Sequence, residues 1–194
     1  MLNYFLGFTM AKWFVSDTHW THTKIQQFCP NTRIQGTLEE HDQKLIDNWN
    51  SQVKKGDQVY HLGDFSFAGK ERTIEILEQL QGDIHLIYGN HDRMLQGPEF
   101  KKFFTSRQHY KTISVEKIKV VMFHFPIFEW EQMQYGAFHL FGHVHSSYST
   151  LRGRSLNVGI DNRPQGDMML WSWEEVKEEL LPKEIIKHHW FGGG

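Results

Sequence analysis

At 194 residues the chain is long enough for one domain with a sizeable core and too short for two ordinary ones. Its 21 basic side chains against 23 acidic ones leave no electrostatic footprint for a protein that holds nucleic acid by bulk attraction. The single cysteine, Cys29, excludes an internal disulfide framework and an all-thiolate zinc site, and points to a reducing, cytoplasmic setting. Histidine is the unusual component: 13 is far above ordinary use in a domain this size, and imidazole is the commonest metal ligand.

The apolar start over residues 1–8 is brief and lacks a basic flank, so it reads neither as a signal peptide nor as a membrane span. Residues 1–10 are expected to form an appendage or an extra strand. Short apolar runs at 12–16, 58–62, 84–88, 119–124, 137–141 and 156–160 have the length and composition of buried strands. Between the first two lies a helix: Thr37 and Glu40 form a capping box, and Leu38, Leu45, Ile46, Trp49 and Val53 share one face. Gly56 closes it. A second helix fits 70–80, ending at Gly82, and a third fits 173–180 behind the capping box of Ser172 and Glu175. Alternation of strand and helix in the first half predicts a parallel sheet with covering helices. The second half, with shorter strands and turns, predicts an antiparallel or mixed sheet. With no internal repeat or low-complexity linker, residues 11–181 are read as one domain and 182–194 as a tail ending in three glycines.

The polar residues that bear chemistry stand where these strands end. The first run leads into Asp17 and His19, the second into Gly63 and Asp64, and the third into Gly89, Asn90, His91 and Asp92. Later runs end at His124 and at Gly142, His143 and His145. Ligands of open α/β sheets gather beyond the carboxyl ends of the strands, so five strand ends deliver these groups to one rim. The glycines at 63, 89 and 142 allow tight turns and close backbone approach. In Asp17-x-His19 and His143-x-His145 the two-residue step is expected to place both side chains on one side of an extended segment.

Taken in order, Asp-x-His, Gly-Asp, Gly-Asn-His-Asp, a lone His and Gly-His-x-His resemble the calcineurin-like metallophosphoesterases, in a small bacterial or phage-type branch. The resemblance implies a four-layer α-β-β-α sandwich of two mixed sheets flanked by helices, with the metal site at the strand ends. It implies two divalent ions per chain, manganese first, with iron, zinc or nickel as alternatives. One ion would take Asp17, His19, Asp64 and His145; the other would take Asp64, Asn90, His124 and His143, with Asp64 bridging. A shared carboxylate offsets the repulsion of two dications about 3.5–4 Å apart, and a hydroxide bridging them would attack phosphorus in line. His91 would protonate the leaving oxygen. Asp92 departs from the Glu often found after Gly-Asn-His, and Phe65-Ser66-Phe67 lacks the acid that in many relatives orients the catalytic histidine.

Each residue also has a plainer role open to it. A lone Asp at a strand end caps turns, Asn90 suits a left-handed turn, and His124 in an apolar run suits a core histidine. Those roles would have to hold at seven positions at once. Outside the motifs the balance reverses: His22 and Arg93 are candidate substrate contacts, with solvated or core roles favoured for them and more so for His61 and His85. Phe125, Phe128, Trp130, Tyr135 and Phe138 would wall a pocket or simply pack. The expected activity is hydrolysis of a phosphodiester or phosphomonoester in a small molecule or nucleotide. No membrane or extended nucleic acid is expected as a partner, and oligomeric state is not assigned. The alternatives are an interaction scaffold of the same fold, which would have shed ligands that this chain keeps, and a nuclease, which would show a basic groove.

Overall fold

The computed structural model describes residues 10–187, so all but Met10 of the expected appendage over 1–10, together with His188, His189 and the terminal glycines, lie outside the described residues. Three apolar strands, β1 (Lys12–Val15), β2 (Gln58–His61) and β3 (Asp83–Ile87), pair in parallel. The one-turn α1 (Ile25–Phe28) and the long α2 (Leu38–Gln52) connect the first two strands, and α3 (Lys70–Leu77) connects the next two. The parallel β4 (Ser106–Gln108) extends one edge, and β9 (Trp171–Ser172) pairs antiparallel with β1 at the other. The sheet order is β4-β3-β2-β1-β9. A second sheet runs β5 (Tyr110–Val115), β6 (Ile118–Phe123), β7 (Phe138–Phe141), β8 (Ser155–Asn157), with β5/β6 antiparallel and the rest parallel. The chain closes with α4 (Trp173–Leu180).

Both foreseen capping boxes form. Glu40 N–H donates to Thr37 Oγ1 at 3.2 Å while Thr37 N–H donates to Glu40 Oε2 at 2.8 Å, and Ser172 with Glu175 repeats the pattern at 3.2 and 2.7 Å. Each satisfies two otherwise orphaned donors and contributes about 1 kcal/mol.

Side-chain alternation along the strands divides the core. Val15, Val59, Ile84 and Leu86 face Leu45, Trp49, Ile76 and Leu77 of the covering helices. Phe14, Tyr60 and Ile87 point the other way, against Val120, Met122, Phe138, Leu140 and Leu156 of the second sheet. Strands buried on both faces read as continuous apolar runs, which is why these were visible in the sequence. Trp173, Val176 and Leu180 of α4 join the inter-sheet cluster. On the outer face of the second sheet, Val121 and Ala137 are covered by Trp130 and Met133 from a loop and the single 3-10 turn Met133–Tyr135, so the fourth layer is slender.

Three differences from expectation concern boundaries and short elements. The second helix stops at Leu77 rather than 80, and the run at 156–160 splits into β8 and a 3-10 turn over Ile160–Asn162. β4, β5 and β9 are additions. No helix among the described residues is long and apolar enough to cross a membrane.

Candidate metal centre

The carboxyl ends of the two sheets meet at Ser16, whose N–H donates to Val158 O at 3.1 Å in a parallel bridge to Gly159. The loops that follow the strands are then tied to one another. Asp17 N–H reaches Gly63 O at 3.0 Å, His19 N–H reaches Asp64 O at 3.1 Å, and Gly142 N–H reaches His124 O at 2.9 Å. Asp92 adds a further tie: its carboxylate accepts the N–H groups of Gly89 at 2.8 Å and of Asp64 and Phe65, each at 2.9 Å. The shorter acid after Gly-Asn-His therefore stitches two ligand loops together from a buried position.

The extended geometry expected for Asp17-x-His19 and His143-x-His145 is not what forms. Asp17, His19, Asp64, His143 and His145 all have positive φ, at 57°, 51°, 54°, 71° and 47°. Left-handed backbone costs a non-glycine residue roughly 1–2 kcal/mol, and such strain collects where surrounding contacts over-determine it. The kinks bring Asp17 and His19 together and send His143 and His145 to different groups. Ligand atoms of Asp17, His19 and His145 lie within 4.8 Å of one another, as do those of Asp64, His124 and His143. Gly142 makes room for this: a Cβ there would stand 1.9 Å from Ser16 Oγ and 2.4 Å from Asp17 Oδ2.

Asp64 stands between the groups, its Oδ2 3.6 Å from His19 Nε2 and 3.6 Å from His124 Nε2. Asn90 Oδ1 lies 3.0 Å from His124 Nε2. Asp17, His19, Asp64 and His124 form a buried floor; Asn90 and His143 are exposed at the mouth, and His145 is half-buried. Leu62 O can only accept, so His124 Nδ1 must donate to it at 2.7 Å, which turns Nε2 toward Asn90 and Asp64. By the same reasoning His145 Nδ1 donates to Asp161 Oδ2 at 2.8 Å, freeing its Nε2.

These atoms fit a divalent ion. Asp17 Oδ1 and both ring nitrogens of His19 are buried without a hydrogen-bond partner. Orphaned buried polar atoms are rare and call for a specific cause. Carboxylate, imidazole and amide together, with no thiolate, suit a first-row dication. Burial opposes ionisation of Asp64, but His19, His124 and the His91 N–H outweigh it and hold the carboxyl down at about 2. Asp17 is likewise lowered, against its burial, by His19, His124 and His145. Cys29 lies near His145 and Asp161, and burial together with Asp161 pushes its thiol up to about 12.

His91 is at the rim with its side chain 47 % exposed; its N–H donates to Asp64 Oδ1 at 3.0 Å and its Nε2 is 4.0 Å from Asp64 Oδ2. The ring lies 4.6 Å from that of Phe67, which stacks on His19. His22 packs edge-on against Phe67 at 4.2 Å, and Arg93 is exposed on the 3-10 turn Asp92–Gln96. His61 is interior: burial drives its pKa down to about 3, Gly63 N–H donates to Nδ1, and Nε2 binds Thr18 Oγ1. His85 stacks on Tyr60. Of the aromatic group, Phe125 lies 4.6 Å from the His143 ring, while Phe138 and Trp130 pack in the interior and Phe128 and Tyr135 are exposed.

Two site residues went unread in the sequence, Arg33 and Asp161. The guanidinium of Arg33 meets Asp161 in a fork, Nε to Oδ1 at 2.6 Å and Nη2 to Oδ2 at 2.7 Å, and Thr32 Oγ1 donates to Oδ1 at 2.6 Å. Burial opposes charge on Asp161, yet Arg33, His145 and Thr32 hold its pKa far below the carboxylate range. Asp161 had a signal, being a polar residue just past a predicted strand like the others. Arg33 had none.

Two mixed sheets that join carboxyl ends around a buried Asp–His floor, with Asn90 at its mouth, define the class of the metal-dependent phosphoesterases. Residues 10–160 match the calcineurin-like phosphoesterase superfamily domain, and the chain belongs to that superfamily. It is 28 % identical over 181 residues to an uncharacterised protein of Methanocaldococcus jannaschii, spanning 89 % of this chain and 90 % of that one. To the Gene 66 protein of Mycobacterium phage D29 it is 29 % identical over 178 residues, 77 % of this chain and 87 % of that protein. A crystal structure of a protein of unknown function from Aquifex aeolicus shares the fold at TM-score 0.68 and 24 % identity, over 89 % of this chain and all (100 %) of the other.

Proposed function

We propose that residues 11–181 form one binuclear phosphoester hydrolase domain, acting in the cytoplasm on a phosphodiester or phosphomonoester of a small molecule or nucleotide. The observation that carries this is the position of Asp64 Oδ2, 3.6 Å from a histidine nitrogen of each group, where one carboxylate serves both. Asp17, His19, Asp64 and His145 would hold one ion and Asp64, Asn90, His124 and His143 the other, manganese being the first candidate. Bound dications supply Lewis-acid polarisation of phosphoryl oxygen and a water acidic enough to ionise near neutral pH. The exposed mouth of Asn90, His91 and His143 leaves the phosphoester open to approach from solvent. His91 delivers the proton of Nε2 to the leaving oxygen, worth about 10²–10⁴ in rate. His22, packed on Phe67 beside His91, and the exposed Arg93 are candidate contacts to the substrate.

Metal titration followed by elemental analysis is expected to give two ions per chain; a stoichiometry that stays at one after reconstitution ends the binuclear assignment. His91→Asn is expected to keep both ions and lose about 10²–10⁴ in kcat/KM on an alkyl phosphodiester. On a nitrophenyl ester, whose leaving group needs little protonation, the loss should be much smaller. Equal losses on both would remove His91 from the proton-transfer role.

A further inference from the structure

Arg33 and Asp161 are both buried, at 3 % and 2 % exposure, and both lie outside the ligand set. A buried ion pair is weak evidence for stability, because desolvating two charges cancels much of their attraction. What distinguishes this one is where its remaining hydrogen bonds go. Beyond the fork to Asp161, Arg33 donates Nη2 to Asp17 O at 2.6 Å and Nη1 to Thr18 O at 2.9 Å. Those carbonyls belong to the left-handed turn that carries Asp17 and His19. Asp161 Oδ2, which accepts Arg33 Nη2, also accepts from His145 Nδ1 at 2.8 Å. Three ligands of one group, delivered by two sheets, are thus fixed by one guanidinium–carboxylate pair.

We propose that Asp161 and Arg33 are positioning residues: Asp161 fixes the tautomer and ring orientation of His145, and Arg33 locks that carboxylate to the strained turn holding Asp17 and His19. No other charged partner of Asp161 is needed, since Arg33 and Thr32 already supply three donors. Removing such an outer partner of a ligating histidine typically weakens metal binding 10–100-fold. The effect belongs to one group only. In the other group His124 donates to Leu62 O, and none of Asp64, His124 and His143 is hydrogen-bonded to Arg33 or Asp161.

The test rests on the metal assignment above for one of its two arms and is independent of it in the other. In metal-free protein at a fixed pH of about 8, above the ordinary histidine pKa, ¹⁵N NMR of the imidazoles should show His145 as a single Nδ1–H tautomer. Asp161→Asn should lose that preference. Because it leaves Arg33 buried without a counter-charge, Arg33→Met with Asp161→Leu provides a second variant that removes both charges and keeps an apolar interior. In the metal arm, Mn²⁺ titration of either variant should show one ion weakened 10–100-fold and the other unchanged. His143→Ala identifies the ion that remains when the other group is broken. A His145 ring that keeps its tautomer in both variants, or two ions weakened equally, overturns the proposal. A wild-type chain that binds one ion would end the binuclear assignment and leave the tautomer result standing.

Discussion

At the scale of single residues, function here rests on backbone that the residues themselves disfavour. Five of the seven assigned ligands sit at positive φ, and only a network of cross-loop hydrogen bonds keeps them there. Gly142 shows how little slack remains. Gly142→Ala would drive a methyl into Ser16 Oγ and Asp17 Oδ2, atoms held by Leu62 O and by the His143 N–H respectively. It is expected to cost about 1–3 kcal/mol in denaturant unfolding and to weaken metal binding together with it. A variant with unchanged midpoint and affinity would show that the turn can shift freely. The glycine and the ligands were legible because a Gly–polar pair ending an apolar run is a short-range pattern. Their left-handed conformations were not, since Asp and His, though enriched at positive φ, adopt it in only a minority of positions, and the two-residue step suggested extended chain instead. Arg33 and Asp161 lie 128 residues apart in sequence, and no local spacing joins them.

At the scale of elements, α2 and α4 were readable because their capping boxes link residues three apart. The β5–β6 hairpin was hidden for the opposite reason. Val115 pairs with Ile118, so the turn is Glu116-Lys117, and both have positive φ, 51° and 69°, without a Gly or Asn to signal it. Lys117→Gly should therefore stabilise the fold by about 1 kcal/mol. For a domain of this size that is a rise of about 2–4 °C in Tm, readable by calorimetry. The salt bridge of Glu116 to Lys177 is left in place by that choice. At the start of α4, burial opposes charge on Glu175, but Arg163 and Ser172 lower its pKa below the usual Glu value. A carboxylate depressed by folding contributes stability above its unfolded pKa and loses it as pH falls through the folded one. Glu175→Gln should thus be less stable than wild type at pH 7, with the difference shrinking as pH falls below the ordinary Glu value of about 4.3 and gone only below the depressed folded one. Paired unfolding curves across that range decide; a difference that persists in acid would assign the effect to shape rather than charge.

For the whole molecule, the two-sheet arrangement converts a distributed sequence pattern into one rim. The parallel strands were foreseen from their continuous apolar runs, whereas β4 and β9, three and two residues long, offer too little sequence to read. With Asp17 Oδ1 and both ring nitrogens of His19 buried without a hydrogen-bond partner, the metal-free fold leaves them only the approaches of His19 Nε2 to Asp17 at 3.7 Å and Asp64 at 3.6 Å. Bound ions should raise Tm, and chelation should lower it, by mass action that grows with free metal concentration. A Tm indifferent to Mn²⁺ and to chelator would contradict a buried dication at this floor.

The pairing of β1 with both β2 and β9 places the first strand of the described chain beside the last. A ribosome releases them in sequence, so β1 waits with one edge open until β9 emerges. During that interval Asp17, His19 and Asp64 are already made, while His124, His143, His145 and Asp161 are still to come. On the proposed ligand set, ion capture is expected to be a late event, and a chain arrested before residue 143 is expected to lack activity however well its first sheet has folded.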